Sequence, residues 1–248
     1  MKAGGRPSGT GSGPGDHDAT DVDGAAVAIF GGRGGGALAA FTLGRLAALG
    51  GARCVGFLND VEVAGSRLAG HPVLGPFAAW RDLPASTRFA APLHKAKEMA
   101  RRAEIILRLG VPHDRWATLI DPQAVLAGDV VHGVDFFASP GASIMCGARL
   151  GDHVAVRAGA HVAHDCTIED FVMVGVNAVV CGYCTVREGA HIAPGAVVRE
   201  GVTVGRYSVV GLGAVVVGEV PDGAIVGGNP ARQLGSTFDV APKPMMAR

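Results

Sequence analysis

The sequence predicts a small parallel α/β domain followed by a parallel β-helix, and three observations predict it. Large aliphatic residues recur every six positions from Ile120 to Val216. Four positions into each hexad the chain places Ala, Val, Cys or Ser, with Phe136 the only departure between Ala124 and Val220. Ahead of Ile120, strand-length apolar runs alternate with helix-length ones around a glycine turn, the pattern of a doubly wound sheet.

Residues 1–24 hold Gly, Ser, Pro and Asp with nothing to pack, and are expected to be a disordered tail. Ala25 to Phe30 reads as a strand, Gly31-Gly32-Arg33-Gly34-Gly35-Gly36 as the turn, and the Ala/Leu-rich stretch to Leu49 as a helix. Arg53 to Leu58 is a second strand ending in Asn59-Asp60, and Arg88 to Ala91 a third. A helix is expected from Leu93, after Pro92, to Leu109, with Gly110 ending it, and Trp116 to Ile120 as a closing strand. The boundaries that follow are 25–119 for a Rossmann-like domain, 120–221 for the β-helix and 222–248 for a C-terminal loop and tail.

Stepping by six from Ile120 meets Ile, Leu or Val at fifteen of seventeen positions. Each hexad supplies one strand and one corner, and three hexads make a triangular coil of a prism. The large residue fills the interior, the small one fits the narrow space beyond it, and glycines let the corners turn. Seventeen hexads make about 5.7 coils, on the order of 27 Å tall at the spacing of paired strands. His132, Phe136 and Ala138 break the pattern together, so an irregular coil or small loop is expected there.

Of 248 residues 39 are glycine, roughly double the usual share, and these corners and turns account for most of them. Twenty-two basic residues balance 22 acidic ones, which leaves no electrostatic footprint for nucleic acid or an anionic membrane. Partners should be small molecules or copies of the chain. No apolar run approaches 18 residues, and the first 24 lack an apolar signal region. The five cysteines are an odd number, which favours reduced thiols and a cytoplasmic protein.

Several segments together resemble a known family: Ile29-Phe30-Gly31-Gly32-Arg33-Gly34, Val55-Gly56-Phe57-Leu58-Asn59-Asp60, Gly70-His71-Pro72-Val73-Leu74-Gly75, Asp121-Pro122-Gln123-Ala124, Val162-Ala163-His164-Asp165-Cys166 and Gly228-Asn229-Pro230-Ala231-Arg232. Over roughly residues 25 to 234 the chain is similar to the left-handed β-helix sugar acyltransferases named after sialic acid O-acetyltransferase, one branch of which N-acetylates UDP-4-amino sugars. The resemblance implies a left-handed coil, a homotrimer with its thioester site between neighbouring coils, and direct transfer from acetyl-CoA to a nucleotide-linked sugar, without an acyl-enzyme. It makes His164 the general base and Asp165 the acid that raises its basicity. It puts acetyl-CoA contacts at Met173, Gly182, Pro194, Leu212 and Gly213, with Arg232 as a phosphate contact. Nucleotide-sugar contacts fall on Arg33, Gly34, Gly35, Asn59 and Asp60. Several positions depart from the family pattern: Met173 and Gly35 each stand in place of a histidine, Arg157 in place of an asparagine, and Asn59-Asp60 in place of two acids.

The chemistry fits a histidine, because an attacking amine or hydroxyl must lose a proton near neutral pH. Cys166 is a repeat position and not a nucleophile, and Cys181-Gly182-Tyr183-Cys184 reads as structural although its spacing suits redox or zinc chemistry. His153, His161 and His191 are expected at the surface or at an interface. His94, Lys95 and Lys97 read as a solvated face. Two alternatives remain: a nucleotide-sugar-binding pseudoenzyme, motivated by Met173 and Arg157, and a γ-type carbonic anhydrase. The latter needs a zinc-binding pair of histidines five residues apart, a spacing found nowhere in the chain; no metal is expected.

Overall fold

The computed structural model describes residues 24–96 and 98–239, so the expected tail before Gly24, Lys97 and residues 240–248 lie outside the described residues. The front unit begins with β1 (Ala26–Phe30), α1 (Gly35–Ala48), β2 (Arg53–Leu58), β3 (Arg67–Leu68), β4 (His71–Gly75), β5 (Arg88–Ala90) and α2 (Met99–Leu109). Its sheet runs β3-β4-β2-β1-β5, parallel except for the antiparallel edge strand β3. The hairpin of β3 and β4 was not expected; two residues of β3 are too few to leave a period in the sequence.

α2 starts later than the expected Leu93. Residues 92–96 run without regular structure because the prism holds this stretch: Ala91 N–H donates to the Asp135 carboxylate at 3.0 Å, and the His94 ring lies on His191 at 4.7 Å. Gly110 ends α2 in the left-handed region, as its sequence position predicts. The expected closing strand is divided. Trp116 makes only a bridge to Phe89, while β6 (Leu119–Ile120) pairs with Phe137–Ala138 and opens the prism.

Beyond β6 the chain winds as a left-handed parallel β-helix of two-residue strands stacked at eighteen-residue intervals, as in Ser143↔His161 and Ile144↔Val162. The first face runs from Val125–Leu126 to Val215–Val216, the second from Val131–His132 to Thr203–Val204, and the third from β6 to Val209–Val210. Ala224–Gly227 and Arg232–Ser236 extend the third face, the last strand antiparallel. Large and small repeat residues together form one continuous interior core.

The expected irregular coil is absent. Val131–His132 and Phe137–Ala138 hold regular register, and Phe136 and Ala138 are both fully buried. The hexad has exchanged its volumes, with a large Phe in the small position and Ala in the large one, so the interior stays filled. The corners also rely less on glycine than expected. At every sixth residue from Asp135 to Gly213 the backbone has positive φ, and Asp135, His153, Asp165, Phe171, Asn177, Tyr183 and Tyr207 occupy half of these positions.

The front unit covers the third face. Outward-pointing Phe137, Ala155 and Met173 share a core with Ala39, Ala40 and Leu43 of α1 and with Phe57 of β2. Fully buried Asp121 accepts from Thr42 Oγ1 at 3.3 Å and pairs with Arg45 Nε at 3.1 Å, tying α1 to the first coil.

Candidate functional site

His164 and Asp165 form the corner between the first and second faces. Asp165 sits at φ 56°, and this left-handed turn swings its carboxylate back beside the neighbouring imidazole, with Nδ1 to Oδ2 at 3.0 Å. Both side chains are half-exposed, 46% and 50%. A carboxylate on Nδ1 favours that nitrogen as the N–H donor and leaves the lone pair on Nε2, which has no hydrogen-bond partner among the described residues. One coil above, a Cβ on Gly182 would stand 2.7 Å from His164 Cε1, so the glycine makes room for the ring, and Tyr183 meets it edge-on at 4.9 Å. Gly182 thus touches the histidine itself.

The other residues assigned to acetyl-CoA lie elsewhere. Pro194, Leu212 and Gly213 stack on the corner between the third and first faces, where Gly213 N–H donates to Pro194 O at 3.0 Å and Leu212 is 75% exposed. Met173 is 2% exposed in the core shared with the front unit, so its side chain offers nothing to a ligand. Arg232 is exposed on the strand that closes the third face. Cys166 lies inside the prism, its Sγ 3.1 Å from Cys181 O, and hydrogen bonding to Cys184 together with burial holds its thiol well above the usual range.

In the front unit Gly34 caps α1 at φ 72° with no side-chain cap and no acid in the first turn. Arg33 is exposed and pairs with Glu62 at 3.5 Å. A Cβ on Gly35 would meet Pro92 O of the same unit at 2.2 Å, so these two backbone segments approach too closely for any other residue. Asn59 is engaged in its own loops, donating to Gly31 O at 2.9 Å and accepting from Val61 and Glu62 N–H groups at 2.8 and 2.9 Å. Asp60 accepts from Phe77 N–H at 2.7 Å. Among the described residues no hydrogen bond, ion pair or ring contact joins His164 or Asp165 to the front unit.

No family model matches the chain, and no curated protein matches it in sequence. Solved structures do. The acetyltransferase domain of PglB from Neisseria gonorrhoeae FA1090, in complex with acetyl coenzyme A, is 30% identical with a TM-score of 0.75 over 84% of this chain and 98% of that one. The chain belongs to the hexapeptide-repeat acetyltransferase family. It is an acyltransferase. PerB from Caulobacter crescentus, in complex with CoA and GDP-perosamine, is 26% identical, covering 85% of this chain and 97% of its own at a TM-score of 0.73. WeeI from Acinetobacter baumannii AYE is 27% identical, covering 84% and 99% at 0.72.

In this acetyltransferase the sequence reading missed a basic cluster where the front unit meets the third face. Of the two places expected for His153 and His191, surface or interface, the structure gives the interface. His153 is buried, paired with Asp135 at 2.9 Å and stacked on Phe171, while Arg102 of α2 donates to Phe171 O and His153 O at 2.9 and 2.8 Å. His191 is 3% exposed, and the ring of the exposed His94 lies on it at 4.7 Å, so His94 keeps the expected solvent exposure while also covering a buried histidine. Burial, reinforced by His191, Arg157 and Arg102, drives His94 down to about 3, and burial beside Arg157 drives His191 down to about 4. Burial also lowers Arg157 and takes Arg102 down to about 10. His161 is half-buried with Ser143 Oγ at 2.8 Å, and Lys95 is exposed and pairs with Glu98. The signal in the sequence was Arg157, a long cation one residue past an aliphatic repeat position.

Proposed function

We propose that this acetyltransferase moves an acetyl group from acetyl-CoA to the amine of a nucleotide-linked amino sugar, with His164 as general base and Asp165 as its orienting acid. The observation that carries the reading is the His164–Asp165 pair at 3.0 Å on an exposed corner, with Nε2 unengaged. Nε2 takes a proton from the amine as its nitrogen attacks the thioester carbonyl. The tetrahedral intermediate collapses, the carbon–sulfur bond breaks, and the imidazolium returns the proton to the departing CoA thiolate. A base so placed contributes about 10²- to 10⁴-fold. PglB and PerB, crystallised with acetyl-CoA and with CoA plus GDP-perosamine, support this donor and acceptor class.

The site is completed between copies of the chain, in a homotrimer. In one chain His164 stands on one corner, whereas Pro194, Leu212 and Gly213 stand on another and the glycine turn lies against the third face. Outward valines on the open first face, with Val125 at 58% and Val179, Val197 and Val215 partly exposed, support an interface there. The acceptor's phosphates sit at Arg33, Gly34 and Gly35, where uncapped N–H groups favour an anion. Five free cysteines support a reducing cytoplasmic setting, and among the described residues no helix is long and apolar enough to cross a membrane. Met173 gives the pseudoenzyme reading little support, since its side chain is buried in the core shared with the front unit.

The test mixes the protein with acetyl-CoA and a panel of UDP-, GDP- and dTDP-amino sugars and follows thiol release and product mass. The expected result is one acceptor gaining an acetyl group for each thiol released. Acceptor binding without thiol release across the panel would favour the pseudoenzyme.

A further inference from the structure

We infer that Arg157, His191 and the N-terminus of α1 together bind an anionic oxygen group of the acceptor, supplied by the diphosphate or by a carboxylate on the sugar. This deepens the proposed function and rests on it for the identity of the acceptor. Arg157 is 9% exposed, its Nη1 is buried without a partner, and among the described residues it makes no ion pair. Its guanidinium lies over the Phe137 ring at 5.3 Å and presses on the first turn of α1, with Nη2 3.3 Å from where a Gly35 Cβ would stand. The helix end it faces carries no cap and no acid. His191 Nδ1 is a second buried polar atom without a partner, and the His94 ring closes over it.

A guanidinium and a helix N-terminus are both positive, and bringing them together in a dry place is unfavourable without an anion. Nearby acids do not supply one. Asp135 is engaged by His153 and Ala91, and Asp121 by Arg45 and Thr42. An oxyanion arriving with the acceptor would accept from Arg157, from the first N–H groups of α1 and from an Nδ1–H of His191, pairing the groups this junction leaves open. Because Arg157 comes from the prism and Gly35 from the front unit, the same anion would clamp the two units.

The experiment follows the Tm of the full chain with pyrophosphate, with glucuronate and with acetyl-CoA, for wild type and for Arg157→Gln and Arg157→Met. One of the two anions should raise the wild-type Tm, and both variants should weaken that binding roughly 10- to 100-fold, the range of a lost charged hydrogen bond. Without ligand the variants should match or exceed wild type, because an unpaired buried charge has gone. Pyrophosphate protection locates the site on the diphosphate, and glucuronate protection on a sugar carboxylate. The inference is overturned if neither anion protects wild type, if the variants bind as tightly, or if both melt lower without ligand, which would make Arg157 structural. Protection by acetyl-CoA separates the two readings: present without anion protection, it removes only this inference; absent alongside anion protection, it removes only the proposed donor.

Discussion

Two regions built on the same six-residue period carry charge in opposite ways. His164 and Asp165 are neighbours in sequence, half-exposed, and satisfied by each other at 3.0 Å. Arg157 and His191 are buried, drawn from different coils, and each left with an unpaired polar atom, Arg157 against the helix end at residue 35. The first arrangement is ready for proton transfer without any ligand. The second leaves polar atoms unpaired, which is the basis for proposing that it recognises an anion. Solvation makes the difference: water supports the charges at the corner, whereas the junction excludes it.

The sharpest way to break this contrast is to remove the acid at the corner without disturbing the turn. Asp165→Gly supplies the residue that tolerates φ 56° best, so the urea midpoint should stay level or rise slightly, while kcat falls about 10- to 100-fold with loss of a charge-assisted hydrogen bond. A kcat that holds would reduce Asp165 to a turn residue. Gly182→Ala asks whether the glycine positions the imidazole. Its Cβ would stand 2.7 Å from the ring, so the imidazole must move, and kcat should fall up to about tenfold with folding intact. If KM for acetyl-CoA rises instead, Gly182 is a donor contact.

The smallest effect belongs to the contacting pair His94 and His191. His94 and His191 stay neutral in the folded chain down to about 3 and 4, whereas in the unfolded chain they gain protons below about pH 6.5. Their contribution to stability is therefore intact above that value and diminishes as pH is lowered toward 4. Urea midpoints measured from neutral pH downward should decline less steeply for His191→Gln than for wild type. Equal slopes would place these imidazoles in water.

Much of the prism was legible because its period is local: each hexad must bury one large and one small side chain, whatever the rest of the molecule does. The His164 corner was legible for the same reason, its two residues being adjacent. The helix after Pro92 was misplaced at its start because Asp135 and His191, distant in sequence, hold residues 91–94 in irregular conformation. His153 and His191 were expected at the surface or at an interface because a corner and an outward strand position hold them, and the docking of the front unit decides for the interface. Phe136 and Ala138 looked like a break because each departs from its repeat position; their volumes compensate, and the interior stays filled.

The most direct measurement is kcat/KM for thiol release from acetyl-CoA, with the best nucleotide-sugar acceptor, as a function of pH for wild type and His164→Ala. Wild type should rise with pH as the base loses its proton, and the variant should lose that limb along with about 10²- to 10⁴-fold in rate at an unchanged Tm. Turnover by His164→Ala equal to wild type across the profile would contradict the account.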